Sequence, residues 1–544
     1  MPGALLAVIG GELPAQDLIK MCAVSPYRGE YRCFVDADVA LAVQSDRLSE
    51  HWHESERLVL GLHGYVHFAD QEVGFKTADA LAERYLRDGD RLWPALRGEF
   101  AILLWDRISR ALKVYRDPMN GRFLHHANDH RRQLLATEVR QIRAVRREPS
   151  TLNMAALNAL STSYALPEPH SPFNEITRLK SGHCTVWKTP NAAPVATAIK
   201  TVLDVLDPAA AKISPADVCA QTERLVDQAL RRTLGPGSNH VLLSGGLDSR
   251  LVYAAALKAV GSAKVQAVSH RFAQMDCDES ATIAAVHSVL GTEGIYVDYD
   301  PAQFEASFTQ MLDLCDYPVF LTSHLTAQLL DVIPPNGQGV VLGGFGGDEI
   351  FICKPRAMVT NTLATRWRWR REIIHWLASR AARRQPAAFL KDVIFALLPD
   401  PLYRRITAWR HPKRAQVDRA QTQLQQFVLK QKHSAHGFYG MLEQLSATRG
   451  LDLRMPFRDL DLCAFLQSIH PLGLLRSGDE RGLEKSVLER YLQLPDSLTL
   501  QPKVNYTQVV ELAVRVWPEM SDGPYRMEKA MKAFLSRFIS RYSC

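Results

Sequence analysis

The chain has 544 residues, more than one hydrophobic core usually contains, so we expect about two to four domains. Hydrophobic residues make up 47% and charged residues 23%, an ordinary globular composition that excludes disorder, collagen or coiled coil for the whole chain. The 65 basic and 58 acidic residues give a formal charge of +7, too mild a bias to indicate nucleic-acid binding.

The compartment follows from what the sequence lacks. No apolar run reaches the roughly 18 residues of a membrane span, and no basic segment precedes the apolar start of the chain, so we expect neither a span nor a signal peptide. The nine cysteines include no CxxC or other close pair, which argues against a zinc site or a disulfide framework. We therefore expect a cytoplasmic protein.

The first part of the chain is rich in predicted strands. Short apolar runs such as LVLGLHGYV, EFAILLWD and RRQLLATE recur between turn residues, and the segment TADALAERYLRDG between two of them has a helical pattern. The stretch PNAAPVATA, which begins at Pro190, is rich in proline and small residues and predicts a linker. We place the boundary near 195–212, with one domain at residues 1–200 and a second at residues 212–544.

From about residue 213, predicted strands alternate with predicted helices. The helix PADVCAQTERLVDQALRRTLG comes first, followed by HVLLS, LDSRLVYAAALKAVG, KVQAVSH, DESATIAAVHSVLG, GIYVDYD, two helical stretches and GVVLGG. This alternation predicts an α/β fold with a doubly wound parallel sheet, in which ligands bind beyond the carboxyl ends of the strands. The remainder, from about residue 357, is predicted to be mostly helical.

The string VLLSGGLDSR combines a strand, a glycine turn and a helix. Gly245 and Gly246 allow a tight turn that brings backbone N–H groups near a ligand, and the helix start adds the positive end of its dipole. With hydroxyls from Ser244 and Ser249, the string predicts an anion cradle rather than an ordinary strand-to-helix turn. Asp248 would repel phosphate unless Mg²⁺ bridges the two. The Walker A pattern is absent, so γ-phosphate transfer is not expected.

A second glycine turn, VVLGGFGGDEIF, follows a later predicted strand. Gly343 and Gly344 end that strand, and Asp348 comes shortly after them. Because parallel strands end at one edge of their sheet, we expect Asp348 to meet Asp248 there, which suggests a magnesium site completed by phosphate and water. The alternative is a glycine-rich loop in which Asp348 caps a helix.

The first string resembles the SGGxDS loop of the N-type ATP pyrophosphatases, which cleave ATP to AMP and pyrophosphate. Together, the two strings resemble the synthetase domain of the asparagine synthetase family, which includes β-lactam synthetases and lasso-peptide macrolactam synthetases. RGLDLRMPFRDLDL and LEKSVLERYL also resemble the family's GVEARVPFLD and KMEKHILREAF. The resemblance implies ATP and Mg²⁺ as cofactors and a catalytic lysine at Lys503, in QPKV. It implies that the nucleotide site is formed by Leu243, Ser244, Gly245, Gly246, Asp248, Ser249, Val268, Gly343 and Gly344, and that Asp248 and Asp348 hold the metal.

The resemblance extends to the N-terminal part. GEFAILLWD, VYRDPMNGR, LLATE and EITRLKSGH look like the family's GxFAFAIWD, ARDPxGxRPL, FASE and LpPGH. This implies an Ntn-hydrolase-like α+β sandwich, in which the family's nucleophile is a cysteine directly after the initiator Met. Here the sequence begins Met1-Pro2-Gly3 and its first cysteine is Cys22. We therefore expect a degenerate amidotransferase domain without the nucleophile, acting as a scaffold or docking surface.

A second departure concerns the base. Phe345 stands in the glycine turn where asparagine synthetases have Glu and β-lactam synthetases have Tyr, part of a Tyr–Glu pair that activates the amine. Phenylalanine can neither accept a proton nor coordinate a metal. Glu443, in GFYGMLEQL, is a candidate catalytic base, and the alternative is a solvated helix glutamate.

These departures favour a macrolactam synthetase of the lasso-peptide type. Such an enzyme adenylates an Asp or Glu side chain of a precursor core peptide and closes the ring with the peptide's own amine, which proximity makes effectively unimolecular. The expected partners are that peptide and the leader peptidase and leader-binding protein of the same pathway, with no nucleic acid. The alternatives are an amide ligase for a small carboxylate with ammonia or an internal amine, and a non-catalytic scaffold. The Arg- and Trp-rich stretch Thr365–Arg384 fits a peptide, partner or membrane surface, or a basic solvent-facing helix.

Overall fold

The computed structural model describes residues 3–352 and 437–542, together with residues 402 and 405. Within the two long ranges it leaves out residues 164–165, 167, 189–191, 208, 211–212, 319–321, 336–338, 470, 475–478, 480, 493–506, 515–516, 518–519 and 521–526. Lys503 and the stretch Thr365–Arg384 lie outside the described residues. None of the helices in the described ranges combines the length and the hydropathy that a bilayer crossing requires.

The N-terminal part contains two six-stranded antiparallel sheets. Its strands are β1 (Gly3–Ile9), β2 (Tyr31–Val35), β3 (Val39–Ser45), β4 (Trp52–Glu54), β5 (Leu58–Phe68), β6 (Leu96–Asp106), β7 (Ala111–Arg116), β8 (His125–Asp129), β9 (Arg132–Ala136), β10 (Ile176–Arg178), β11 (His183–Trp187) and β12 (Val195–Ala198). The strand order is β10-β8-β9-β1-β3-β2 in one sheet and β12-β11-β7-β6-β5-β4 in the other.

The two sheets pack face to face, and short helices cover their outer faces. These helices are α1 (Pro14–Ala23), α2 (Leu48–His51), α3 (Ala78–Asp88), α4 (Val139–Arg143) and α5 (Met154–Ser163). Along β1, Leu5 and Ala7 belong to the core between the sheets, whereas Leu6 and Val8 pack with residues of α1 and α4. This alternation follows from the two-residue period of a strand that is buried on both faces. The α+β sandwich predicted for this part is confirmed.

The predicted linker PNAAPVATA is partly a strand. Val195–Ala198 pairs antiparallel with β11 and forms an edge of the second sheet, so this sheet continues to Ala198. Pro194 directly precedes the strand, and since proline has no N–H to donate, the pairing can begin only after it.

The second part is built on a parallel sheet of five strands. They are β13 (Asn239–Leu242), β14 (Val265–Arg271), β15 (Gly294–Asp298), β16 (Val340–Leu342) and β17 (Asp452–Arg454), in the order β15-β14-β13-β16-β17. The sequence analysis predicted the first four of these strands and missed β17, which lies in RGLDLRMPFRDLDL. Unlike the apolar Val-Val-Leu of β16, the residues of β17 are Asp-Leu-Arg and form no apolar run, so only the pairing with β16 identifies the strand.

Helices cover both faces of this sheet, as expected for a doubly wound fold. They are α6 (Pro215–Thr233), α7 (Leu247–Val260), α8 (Ser280–Leu290), α9 (Phe304–Leu314), α10 (Ser323–Asp331), α11 (Gly347–Phe351), α12 (Gly437–Ala447), α13 (Leu460–Ser468), α14 (Gly482–Tyr491), α15 (Thr507–Val514) and α16 (Met527–Tyr542). Val340 and Leu342 pack in one core with α6, α7, α13 and α14, whereas Val341 between them packs with α9, α10 and α12.

Buried ion pairs join the two parts of the chain. Arg28, in the turn Pro26–Arg28, donates to Glu443 Oε1 at 2.5 Å and to Oε2 at 3.1 Å. Arg122 Nη2 donates to Asp452 Oδ1 at 2.7 Å. The other described pairs of this kind are Arg97–Asp461 at 2.8 Å and Arg140–Asp316 at 3.1 Å. Charges buried in this way are costly to separate, because either partner alone would stay desolvated without compensation.

We expect Asp452→Ala to destabilise the protein strongly. Arg122 and Arg454, which both donate to this carboxylate, would remain buried without their acceptor, at a cost of about 3–5 kcal/mol. The measurement is the shift of the thermal unfolding midpoint. The control is Asp38→Ala, which removes an exposed partner of Arg110 and should cost no more than about 1 kcal/mol. Equal shifts for both variants would contradict the role assigned to the buried pair.

Candidate functional site

A cavity of about 380 Å³ opens beyond the carboxyl ends of β13 and β16, which are neighbours in the parallel sheet. Among the residues predicted from the sequence, those that line it are Leu243, Ser244, Asp248, Ser249, Gly344 and Asp348. Gly245, Gly246 and Gly343 belong to the same two turns and shape the backbone behind this lining. Two loops that are far apart in sequence therefore form one site.

The loop after β13 is held by its own two serines. Ser244 N donates to Ser249 Oγ at 3.0 Å, and Gly246 N donates to Ser244 Oγ at 3.2 Å. Gly245 N donates to Glu279 Oε2 at 3.0 Å, so the Glu279 carboxylate lies against the loop. These bonds fix the two hydroxyls beside the first turn of α7, where a helix attracts negative charge.

The loop after β16 approaches the first loop closely because it carries glycines. A Cβ atom at Gly344 would lie 2.8 Å from Ser249 N, and one at Gly347 would lie 1.8 Å from Asp248 Oδ1. Gly346 between them has a φ of +103°, a backbone conformation that residues other than glycine rarely adopt. The close approach brings Asp348 next to Asp248, at the shared edge that the sequence predicted.

An arginine that the sequence analysis missed bridges the two aspartates. Arg481 lies directly before α14, and its guanidinium is 2.5 Å from Asp248 Oδ1 and 3.1 Å from Asp348 Oδ1. Its Nε also donates to Glu484 Oε2 at 2.7 Å. Burial alone would lower the pKa of Arg481, but the carboxylates of Glu484, Asp248 and Asp348 raise it. Two acids and one fixed cation therefore occupy the centre of the site.

Glu484 lies beneath this centre and is fully buried. Burial and the nearby charge of Asp248 raise the pKa of Glu484 well above its ordinary value, and the Arg481 guanidinium opposes this shift. Glu484 Oε2 therefore lies against the same guanidinium as the two aspartates, 2.6 Å from its Nη2.

The donor set of this centre fits Mg²⁺. Asp248 and Asp348 supply hard carboxylate oxygens from two loops, and magnesium typically takes one or two carboxylates and completes its shell with phosphate and water. Glu279 and Glu349 also line the cavity. A nucleoside triphosphate that enters a cavity with four acids needs an accompanying cation, because its phosphates and the carboxylates repel each other strongly at short range.

The other end of the cavity is more apolar. Phe272, Ile283 and Leu325 line it together with His270, whose Nε2 donates to the Leu325 carbonyl at 2.9 Å. Burial lowers the pKa of His270, so the imidazole is neutral at physiological pH. Such a slot suits a flat, weakly polar group such as a nucleobase.

Val268, predicted to line the adenine site, does not line this cavity. Its side chain is fully buried in the core. The strand β14 continues three residues further, to Arg271, so His270 and Phe272 reach the cavity instead. The predicted strand KVQAVSH already contained His270, but the alternation of side chains does not by itself show which of its residues lie at the cavity.

Glu443, the predicted base, is not among the residues that line the cavity. Glu443 is paired with Arg28 and is only 8% exposed, so the geometry gives it an interdomain ion pair rather than a place as a base. It is not a solvated helix glutamate either. Phe345 does line the cavity, as expected for its turn. Lys503 lies outside the described residues, and its role stays a prediction.

Cys22, the first cysteine of the sequence, lies in α1 and is 2% exposed. Burial raises its thiol pKa to about 12, so it carries almost no thiolate at neutral pH. The cysteines within the described ranges, Cys22 among them, are free thiols.

Comparison with known proteins assigns families to both parts of the chain. The family model described as "Asparagine synthase" matches residues 221–524, and the model described as "Glutamine amidotransferase domain" matches residues 68–196. Curated proteins of Mycobacterium bovis and Mycobacterium tuberculosis named "Putative asparagine synthetase, glutamine-hydrolyzing" are 23% identical over 292 residues. That match covers 53% of this chain and 44% of each relative, so the chain corresponds to less than half of their length.

Among solved structures, glutamine phosphoribosylpyrophosphate amidotransferase from B. subtilis, complexed with ADP and GMP, matches with 11% identity and a TM-score of 0.27. The match covers 55% of this chain and 91% of that one. Glutamine-dependent NAD⁺ synthetase from Acinetobacter baumannii, complexed with ADP, matches with 15% identity and a TM-score of 0.19, over 37% and 43% of the two chains. At these scores neither likeness bears on this chain's fold or function.

We expect Gly347→Ala to disrupt the site without unfolding the protein. The new Cβ would overlap Asp248 Oδ1 and force that carboxylate or the α11 turn to move. Binding of ATP with Mg²⁺, measured by calorimetry, should weaken by about tenfold or more, because a displaced carboxylate cannot share a metal with Asp348. The matched control is Gly74→Ala, where the nearest heavy atom is 4.0 Å from the new Cβ. Unchanged ATP binding in Gly347→Ala would contradict the close approach of the loops.

Glu443→Gln separates the two roles considered for this residue. If Glu443 is the ion-pair partner of Arg28, the loss of its charge should lower the thermal unfolding midpoint by the equivalent of about 3 kcal/mol. A catalytic base would instead leave stability intact and lower the rate by about 10²–10⁴-fold. We expect the stability loss, with the turnover per folded molecule reduced less than tenfold. A large rate loss at unchanged midpoint would restore the base assignment.

Proposed function

Because the chain belongs to the asparagine synthase family, we propose that it is an ATP-dependent ligase that forms an amide bond through an adenylated carboxylate. The observation that carries this proposal is the meeting of Asp248 and Asp348 beside the serine loop at the shared ends of β13 and β16. Pyrophosphate release needs a site that binds two linked phosphates and their counter-ion, and these residues offer such a site.

The first step activates the substrate. A carboxylate oxygen attacks the α-phosphorus of ATP, the bond between the α-phosphorus and the bridging oxygen breaks, and pyrophosphate leaves. The hydroxyls of Ser244 and Ser249 would bind the leaving group beside the first turn of α7. Asp248 and Asp348 would hold Mg²⁺, which supplies positive charge to the pyrophosphate when bound.

The second step forms the amide. An amine attacks the acyl carbon, AMP leaves, and the amine loses a proton to solvent or a base. Lys503 would neutralise negative charge that develops at the reacting phosphate or acyl carbon. The apolar slot around His270 and Phe272 would hold the adenine ring and orient the nucleotide for both steps.

For the amine, we propose the N-terminal amine of a peptide whose own Asp or Glu side chain is adenylated. The product would be a macrolactam of the lasso-peptide type, made in the cytoplasm beside the leader peptidase and leader-binding protein of the same pathway. Two features support an amine that arrives with the substrate. Cys22 is buried and protonated, and Phe345 replaces the acid or tyrosine that relatives place in the turn.

The test is a reaction of the full chain with ATP, Mg²⁺ and a leaderless peptide encoded in the same gene neighbourhood, read by mass spectrometry. The expected products are AMP, pyrophosphate and a peptide lighter by one water. Intact ATP, both with and without the neighbouring leader peptidase, would overturn the macrolactam proposal. Turnover of aspartate with ammonia would then identify a ligase for a small carboxylate.

We expect Asp248→Asn and Asp348→Asn each to lower ATP–pyrophosphate exchange by about 10²–10³-fold, because each removes a charged ligand of the departing pyrophosphate's counter-ion. Exchange of labelled pyrophosphate into ATP measures the first step alone. The matched control is Asp298→Asn, an exposed aspartate at the end of β15 in the same sheet, which should keep wild-type exchange. Wild-type exchange in Asp248→Asn would contradict the assignment of Asp248 as a metal ligand.

A further inference from the structure

Arg481 makes contacts that the proposed reaction has not used. Its guanidinium contacts one oxygen of each aspartate, Asp248 Oδ1 at 2.5 Å and Asp348 Oδ1 at 3.1 Å. The side chain is 15% exposed and reaches the two aspartates from the residue before α14, whereas the aspartates come from two other loops. Three separate segments of the chain therefore converge on one cation.

The Arg481 guanidinium contacts both aspartates, where a metal ion would also bind, so the two cations would compete for the same oxygens. A magnesium ion shared by Asp248 and Asp348 takes lone pairs from both carboxylates, and Arg481 already holds one oxygen of each. Two carboxylates this close repel each other unless a positive charge lies between them. The guanidinium supplies that charge, and it cannot be deprotonated in a protein.

Arg481 is also suited to bind phosphate. A planar guanidinium presents parallel N–H groups that match two phosphate oxygens, a geometry that an ammonium group lacks. Its Nε and Nη2 lie 2.7 and 2.6 Å from Oε2 of Glu484, which is fully buried on α14. The guanidinium can therefore stay attached to α14 while the N–H groups that face the aspartates exchange partners. Ser244 and Ser249, the predicted pyrophosphate ligands, line the same cavity as both aspartates.

We propose that Arg481 exchanges ligands during the reaction: it bridges Asp248 and Asp348 before nucleotide binds and pairs with the pyrophosphate oxygens once nucleotide and metal are present. This inference rests on the proposed adenylating function and assigns a residue to its leaving-group site. It has a distinctive consequence. Removing the guanidinium should favour binding of a metal alone, because a competitor is gone, and should weaken binding of pyrophosphate with metal, because a ligand is gone.

The experiment compares the full-length wild-type protein with Arg481→Gln in two binding measurements. Mn²⁺ alone is titrated and followed by electron paramagnetic resonance, and inorganic pyrophosphate with Mg²⁺ is titrated by calorimetry. We expect the variant to bind Mn²⁺ at least about threefold more tightly. We expect it to bind pyrophosphate about 10- to 100-fold more weakly, the usual effect of losing a hydrogen bond to a charged group.

The control for a general charge effect is Arg490→Gln on the same helix, an arginine that pairs with Glu223 on the surface and should change neither affinity. Arg481→Lys keeps the positive charge but loses the parallel N–H groups of the guanidinium. This variant should therefore retain the wild-type Mn²⁺ affinity and still lose pyrophosphate affinity. This variant also carries the test if Arg481→Gln does not fold.

Each remaining outcome decides between specific conclusions. If both affinities fall together in Arg481→Gln, or neither changes, Arg481 is a structural clamp and the exchange of ligands is wrong. If the wild-type protein itself binds neither Mn²⁺ nor pyrophosphate in a way that depends on Asp248, the proposed function fails first. The two failures are therefore distinguishable within one set of titrations.

Discussion

The site depends on a steric constraint: two loops at neighbouring strand ends must approach each other more closely than side chains would allow. Gly344 and Gly347 meet this constraint, since a Cβ at either position would overlap the start of α7 or the carboxylate of Asp248. The parallel order of β13 and β16 places the two loops side by side, and the glycines let them touch. That contact brings Asp248 and Asp348 together, although two carboxylates repel each other at short range.

Repulsion of this kind has to be balanced within the protein before any ligand arrives. Arg481 balances the two aspartates and also contacts Glu484, the buried third acid beneath them. The same principle governs the boundary between the two parts of the chain, where Arg28 and Arg122 pair with Glu443 and Asp452. In both places arginine is the cation, consistent with its ability to hold a carboxylate geometrically as well as electrostatically.

Local patterns predicted those features of the molecule that local physics determines. Strand, glycine turn and helix around Ser244 and around Gly344 follow from residues a few positions apart, and the alternation of elements was enough to expect a parallel sheet. Arg481 could not be found in this way, because the two aspartates that it bridges lie more than a hundred residues earlier in the chain. Val268 lies in the core for a related reason: the predicted strand KVQAVSH ended within one residue of β14, but its pattern does not show which of its residues face the cavity. The sequence around Glu443 does not show whether this residue is a catalytic base or an ion-pair partner, because Arg28 lies in a distant part of the chain.

The interdomain ion pairs bear on what the N-terminal part contributes. Glu443 lies on α12, which also packs in the core behind β16 and β17, the strands nearest Asp348. A Cβ at Gly440 on the same helix would overlap the Phe123 ring of the N-terminal part, so the two parts meet there without room for a side chain. An amidotransferase-like domain packed this tightly supports the rear wall of the synthetase sheet. Losing the domain would leave Glu443 without Arg28 and Asp452 without Arg122, so the domain stabilises the synthetase part independently of any catalytic role of its own.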